Sequence, residues 1–246
     1  MPAPSGCASW RQRPVVDYRP PYGPDSHAIV YVADGAGDFR ATSAALRRAV
    51  VADKLPLYVR TFDWSHGYGR VIADQLDRAH IQSEGQRLAE LLCARRQTYP
   101  DSPIYLVGHS AGCGVLIAAA ERLPPGQVDR IILLAPSLPS DYDLRPALRA
   151  VNEELDVFCS IRDNSYLRMS DLLTSLCQVK WCTAAGCHGF QPQGDSPEDV
   201  ACYAKLRHYP WEPRLAWTGH EGGHFGCYQP GYLRAFVLPL LTRRRG

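Results

Sequence analysis

The chain has 246 residues, 46% hydrophobic and 21% charged, a balance that excludes intrinsic disorder and allows a sizeable core. Twenty-seven basic against 25 acidic residues leave a net charge of +2, which argues against nucleic acid as the main partner. The longest stretch without a formal charge, Ser102 to Ala120, approaches the length of a membrane span. Pro103, Gly108, His109, Ser110, Gly112 and Gly114 interrupt it, so it reads as a strand, a turn and a buried helix.

In chain order, residues 1–26 read as an extended tail held open by Pro14, Pro20, Pro21 and Pro24. Ser5-Gly6-Cys7-Ala8 resembles the cleavage end of a bacterial lipoprotein signal. On that reading Cys7 carries a lipid anchor and the protein sits at the bacterial cell envelope. The plainer reading is a disordered tail with an incidental cysteine on a cytoplasmic protein. Residues 27–246 read as one domain. Ala28–Ala33 is a buried strand, followed by a helix over Thr42–Ala52, a strand over Pro56–Thr61 and a long helix over Ala79–Gln97. Ile104–Val107 is a third strand leading into a helix over Gly112–Arg122. Arg130–Leu134 is a fourth, Val157–Ile161 a fifth and Arg214–Thr218 a sixth, before a last helix around Gly231–Leu241. Alternation of this kind predicts an α/β fold, a mostly parallel sheet with helices on both faces and its function at the carboxyl ends of the strands. Residues 164–213 break the rhythm and read as an irregular excursion over the active face, before the last strand.

Nine cysteines make an odd total. Cys93, Cys113 and Cys159 lie in apolar segments and read as small buried hydrophobes. Cys177, Cys182, Cys187 and Cys202 share the excursion with His188, where an exported protein would have the option of a disulfide. No Cys-x-x-Cys spacing is present, so no metal is expected there.

Gly108-His109-Ser110-Ala111-Gly112 follows an apolar strand and opens a helix. That context gives G-x-S-x-G a mechanical meaning: a sharp turn whose apex holds a serine hydroxyl clear of the sheet. Glycines at 108 and 112 let strand and helix approach, and the Ala111 N–H at a helix N-terminus is placed to donate to a developing oxyanion. Ser110 is therefore the candidate nucleophile. At this point the chain resembles the α/β-hydrolase family, from His27 onward in element order, with the specific motifs confined to short segments.

The resemblance implies an acid after a later strand and a histidine before the last helix. His224, in Gly219-His220-Glu221-Gly222-Gly223-His224-Phe225-Gly226, stands where the family keeps its general base, and His220 lies too near the strand end. The same stretch matches the His-Glu-x-x-His pattern of zinc proteases, but paired glycines oppose the helix that pattern needs and no third ligand follows. Asp163 occupies the family's usual acid position, with Asp143, Asp141 and Asp195 as competitors. Gly35 or Ala36, after the first strand, would supply the second oxyanion donor, although the family's usual His-Gly pair is replaced by Asp34-Gly35.

Trp64, His66 and Tyr68 follow the second strand and would line the substrate pocket, with Trp181 and Phe190 covering it. No large apolar helical cap is read, which favours small or accessible esters. The expectation is a serine hydrolase, a carboxylesterase with a catalytic Ser110–His224–Asp163 set, a small-molecule ester substrate and no cofactor. The alternatives are an acyltransferase or thioesterase on the same fold, or a non-catalytic binding protein that retains it.

Overall fold

A computed structural model describes residues 28–163 and 184–242. The tail with Cys7, and Cys177, Trp181 and Cys182 in the excursion, lie outside the described residues. Six strands form one sheet, all paired in parallel, in the order β2-β1-β3-β4-β5-β6: β1 Ala28–Ala33, β2 Leu57–Thr61, β3 Ile104–His109, β4 Arg130–Leu134, β5 Leu155–Cys159 and β6 Leu206–Pro210. Strands β3, β4 and β5 are buried along their whole length, which is why β3 and β4 read as apolar runs rather than as alternation, while β5 is interrupted by the buried Asp156, paired with Arg130 at 2.6 Å.

The helices divide between the two faces. On one, Leu88 and Leu92 of α3 (Arg78–Thr98), the apolar α4 (Gly112–Ala120) and Leu148 of α5 (Arg145–Arg149) pack against Ile29, Leu106, Ile131 and Val157. On the other, Leu46 and Val50 of α1 (Ala41–Ala52) and the C-terminal Tyr232, Val237 and Leu241 pack against Val30, Val107 and Ile132. Helix α4 is apolar all round because it is enclosed, with eight of its nine residues buried. A short helix α2, Val71–Leu76, lies between β2 and α3. The family-like α/β architecture expected from the sequence is present.

One strand was misplaced. Pro213–Thr218 is a 3-10 helix, not a strand; Pro213 opens it and Gly219, at φ 86°, closes it. The last strand is Leu206–Pro210, inside the stretch read as irregular. Among the described residues it pairs on one side only, with β5, and Arg207, His208 and Pro210 are exposed, so its composition looked like a loop. The fifth strand also starts earlier than expected, at Leu155, and ends at Cys159.

Chain order β1, β2, β3 against spatial order β2-β1-β3 makes a switch point beside β1, where crossovers leave in opposite directions and a crevice opens at the carboxyl ends. Ala33 is in register with Gly108, and His109 with Leu134. The loops after β1, β3 and β4 therefore emerge side by side.

Candidate active site

Ser110 stands at the end of β3 with φ 52°, the left-handed region that a β-carbon disfavours. Backbone bonds over-determine that conformation. The Ser110 N–H donates to Leu134 O at 3.0 Å, and Ser110 O accepts from Cys113 N at 3.1 Å and Ser137 N at 3.2 Å. Room for the turn comes from Gly112, where a β-carbon would lie 2.3 Å from Ala33 O and 2.4 Å from Asp34 O. Asp38, Arg40 and Ala135 on the neighbouring loops also have positive φ, a clustering of strain typical of functional sites.

His224 and Asp163 come together from distant parts of the chain. His224 Nδ1 and Asp163 Oδ2 are 2.6 Å apart, and both side chains are buried. This contact commits Nδ1, so any exchange with Ser110 falls to Nε2. The loop carrying His224 is pinned from beneath: Trp211 Nε1 donates to His220 O at 2.8 Å, Ser160 Oγ to Gly222 O at 2.7 Å and the Gly222 N–H to His220 Nδ1 at 3.0 Å. His220 is thus a buried brace, its pKa pulled down to about 4 by desolvation. Among the competing acids, Asp143 pairs with Arg145 at 2.8 Å, while Asp141 and Asp195 are exposed.

Ser110 and His224 line the same cavity of about 400 Å³, together with Gly35, Ala36, Phe39, Val71, His109, Phe225 and Tyr228. The Ser110 hydroxyl is hydrogen-bonded to Ser137 Oγ at 3.0 Å and makes no bond to His224 in this state. The N–H groups of Gly35, Ala36 and Ala111 donate no hydrogen bond among the described residues. Ala111 is buried next to Ser110, at the start of α4, and does not itself line the cavity. In the same loop the Gly37 N–H is taken by Asp74 Oδ2 at 2.7 Å.

Three expected lining residues lie elsewhere. Trp64 is buried and its indole N–H donates to Asp34 O at 2.8 Å, supporting the Gly35 loop from behind. His66 lies between carboxylates, Nδ1 2.9 Å from Asp74 and Nε2 3.3 Å from Asp77. Tyr68 is exposed, with its ring edge-on to Phe39 at 5.4 Å. Phe190 packs in the core.

The sequence reading passed over His109, Ser137 and Asp74, and over Phe39, Phe225 and Tyr228 in the cavity wall. Phe225 adjoins His224, Tyr228 follows four residues after it, and Phe39 closes the loop after β1, so adjacency alone would have nominated them. His109 is buried at the cavity floor, and desolvation first, then the neighbouring His224, pulls its pKa down to about 3. The neutral ring donates from Nε2 to His224 O at 3.1 Å, while a β-carbon on Gly35 would lie 2.8 Å from its Nδ1. His109 therefore touches both the histidine loop and the loop after β1.

A parallel sheet with a serine at the strained turn after β3, and a histidine and an aspartate delivered from later loops, defines the chain as an α/β hydrolase. Residues 24–182 match the family described as serine aminopeptidase, S33, and the chain belongs to that family. No curated protein shows a significant match to the sequence. Similar solved structures include a protein assigned to the alpha/beta hydrolase superfamily from Xanthomonas campestris pv. campestris, 16% identical, covering 86% of this chain and 99% of that one with a TM-score of 0.46. A Trichoderma reesei cutinase in complex with a phosphonate inhibitor is 16% identical, covering 88% and 77%, TM-score 0.44. The catalytic core of an acetyl xylan esterase from Trichoderma reesei is 13% identical, covering 86% and 96%, TM-score 0.44.

Proposed function

We propose that this hydrolase cleaves carboxylic esters through an acyl-enzyme on Ser110. The observation that carries the reading is the meeting in one cavity of the Ser110 side chain, His224 backed by Asp163 at 2.6 Å, and the amides of Gly35 and Ala36, unengaged among the described residues. Turning about its Cα–Cβ bond, the Ser110 hydroxyl leaves Ser137 and offers its proton to His224 Nε2. The oxygen forms a bond to the acyl carbon, and the carbonyl oxygen takes up negative charge facing the amides of Ala111 and of Gly35 or Ala36. The imidazolium, steadied by the Asp163 carboxylate, returns its proton to the departing alkoxide as the ester C–O bond breaks. Water, deprotonated by the same nitrogen, then releases the acid and restores Ser110.

The cavity wall supports an ester with an uncharged acyl part, because Ala36, Phe39, Ala41, Val71 and Phe225 offer it apolar contact. The test is a series of p-nitrophenyl esters of graded chain length, followed by intact-mass measurement of rapidly acidified reactions. The expected result is turnover with a mass increment equal to the acyl group, lost in Ser110→Ala. Turnover that survives Ser110→Ala overturns the reading. Transfer to added alcohols in preference to water would assign the same acyl-enzyme to an acyltransferase.

A further inference from the structure

Helix α2 inverts the usual distribution of a surface helix. Its charged residue, Asp74, is fully buried, while Ile72 is 51% and Leu76 37% exposed. Asp74 faces inward because its carboxylate accepts from the Gly37 N–H at 2.7 Å, Ser65 Oγ at 2.5 Å and the His66 N–H at 2.8 Å, and meets His66 Nδ1 at 2.9 Å. At about 100° per residue, Ile72 and Leu76 then fall together on the opposite, outward side. An amphipathic helix packed the ordinary way would bury these two and expose the acid.

This apolar side belongs to a larger rim. Phe39, Tyr68 and Phe225 are 55%, 69% and 59% exposed. Five of the nine large exposed hydrophobic side chains among the described residues thus gather on segments bordering one opening. Phe39 and Phe225 also line the cavity with Ser110, as does Val71 at the start of α2, so the outer surface continues into the reactive chamber. Arg40 at this rim is neutralised by Asp38 at 2.8 Å and Asp63 at 3.1 Å. Arg70 and Arg78, both exposed, stand near the two ends of α2, and the exposed Asp77 lies between Leu76 and Arg78.

We propose that α2 and this rim form an interfacial docking surface that seats the molecule on a layer of aggregated, lipid-like esters, so that a chain passes from the layer into the Ser110 cavity. The inference rests on the esterase reading and departs from the small esters expected from the sequence. An apolar helical side whose rim charges balance, Arg40, Arg70 and Arg78 against Asp38, Asp63 and Asp77, and which continues into the apolar wall of the cavity, fits the acyl chains of a lipid-like layer. A folded protein seated on the same rim would stop the cavity, whereas a substrate layer fills it.

The test uses the full chain carrying Ser110→Ala, sedimented with vesicles of phosphatidylcholine and phosphatidylglycerol. The protein is expected in the pellet, and Ile72→Ser with Leu76→Ser in the same background is expected to weaken partitioning about tenfold or more, with an unchanged melting temperature. In the protein with Ser110 intact, the same pair should lower the ratio of emulsified long-chain to dissolved short-chain ester turnover by a similar factor. Protein that stays in the supernatant overturns the proposal. So does a double variant that partitions like its parent, including one that melts earlier because these side chains are packed within the molecule. Light scattering that shows a dimer dissolved by the double variant, without vesicle binding, assigns the rim to self-association instead. Vesicle binding that persists while no ester is cleaved supports the docking and overturns the esterase reading.

Discussion

The imidazole of His109 is the first side chain below the Ser110 turn, and its two nitrogens face two different loops. Nε2 donates to the His224 carbonyl at 3.1 Å, and Nδ1 faces Gly35. Replacing the ring with alanine removes a strut between the loop of the proposed base and the loop of the proposed oxyanion donors. His109→Ala is expected to lower kcat about 10- to 100-fold with a smaller change in KM, and His109→Gln, which keeps an N–H donor, to recover part of the loss. Steady-state kinetics on a dissolved ester checks both. Asp163→Asn keeps the shape of the contact to His224 but favours the wrong tautomer, and kcat is expected to fall by about 10³- to 10⁴-fold. Ser110 could be nominated from sequence because glycines on both sides, an apolar strand and a helix all converge on it. His109 could not: its identity is free within the motif, and its role depends on a carbonyl 115 residues away in the chain.

Among the elements, α2 shows how a buried carboxylate can set the pose of a helix. Asp74 ties α2 to the loop after β1 through Gly37 and to the loop after β2 through Ser65 and His66, and those four bonds hold its pKa down despite the opposing burial. Asp74→Ala leaves these donors without their acceptor, and the expected cost is about 2–4 kcal/mol in denaturant unfolding. Activity should fall as well, since Gly37 adjoins Gly35 and Ala36. An unchanged denaturation midpoint would contradict this assignment. Helix α2 was illegible because six residues make fewer than two turns and the only charge points inward. Strand β6 was illegible for a related reason: it buries little, Arg207 faces water, and the polar His208 is held by the Phe190 N–H at 2.9 Å, a contact no local pattern shows. Strands β3 and β4, buried throughout, stood out as apolar runs.

At the scale of the whole molecule, burial of two neutral histidines links folding to pH. Desolvation lowers His109 to about 3 and His220 to about 4, against about 6.5 for an exposed histidine in the unfolded chain. Between these limits the unfolded state binds more protons, so stability rises with pH and is lost as pH falls from about 6.5 toward 4. Each group contributes roughly 1 kcal/mol per pH unit inside that window. Melting temperatures at pH 7 and pH 5 should differ accordingly, and His220→Phe should flatten the slope; a slope unchanged by that substitution contradicts the attribution. Topology explains why the loops that meet at the candidate site could be placed in advance. Once the strands are known to be parallel, the loops after β1 and β3 must emerge at one end of the sheet. Whether aromatic residues after β2 enter the cavity depends on side-chain packing: Trp64 turns inward to Asp34 and Phe39 takes the wall.

The proposed chemistry requires one serine made nucleophilic by one histidine. Incubation with a fluorophosphonate, with the modified residue located by peptide mass spectrometry, measures this directly. The account predicts a single adduct on Ser110, no adduct in Ser110→Ala, and a labelling rate at least about 10³-fold lower in His224→Ala. An unlabelled wild type, or labelling that proceeds at the wild-type rate without His224, would contradict it.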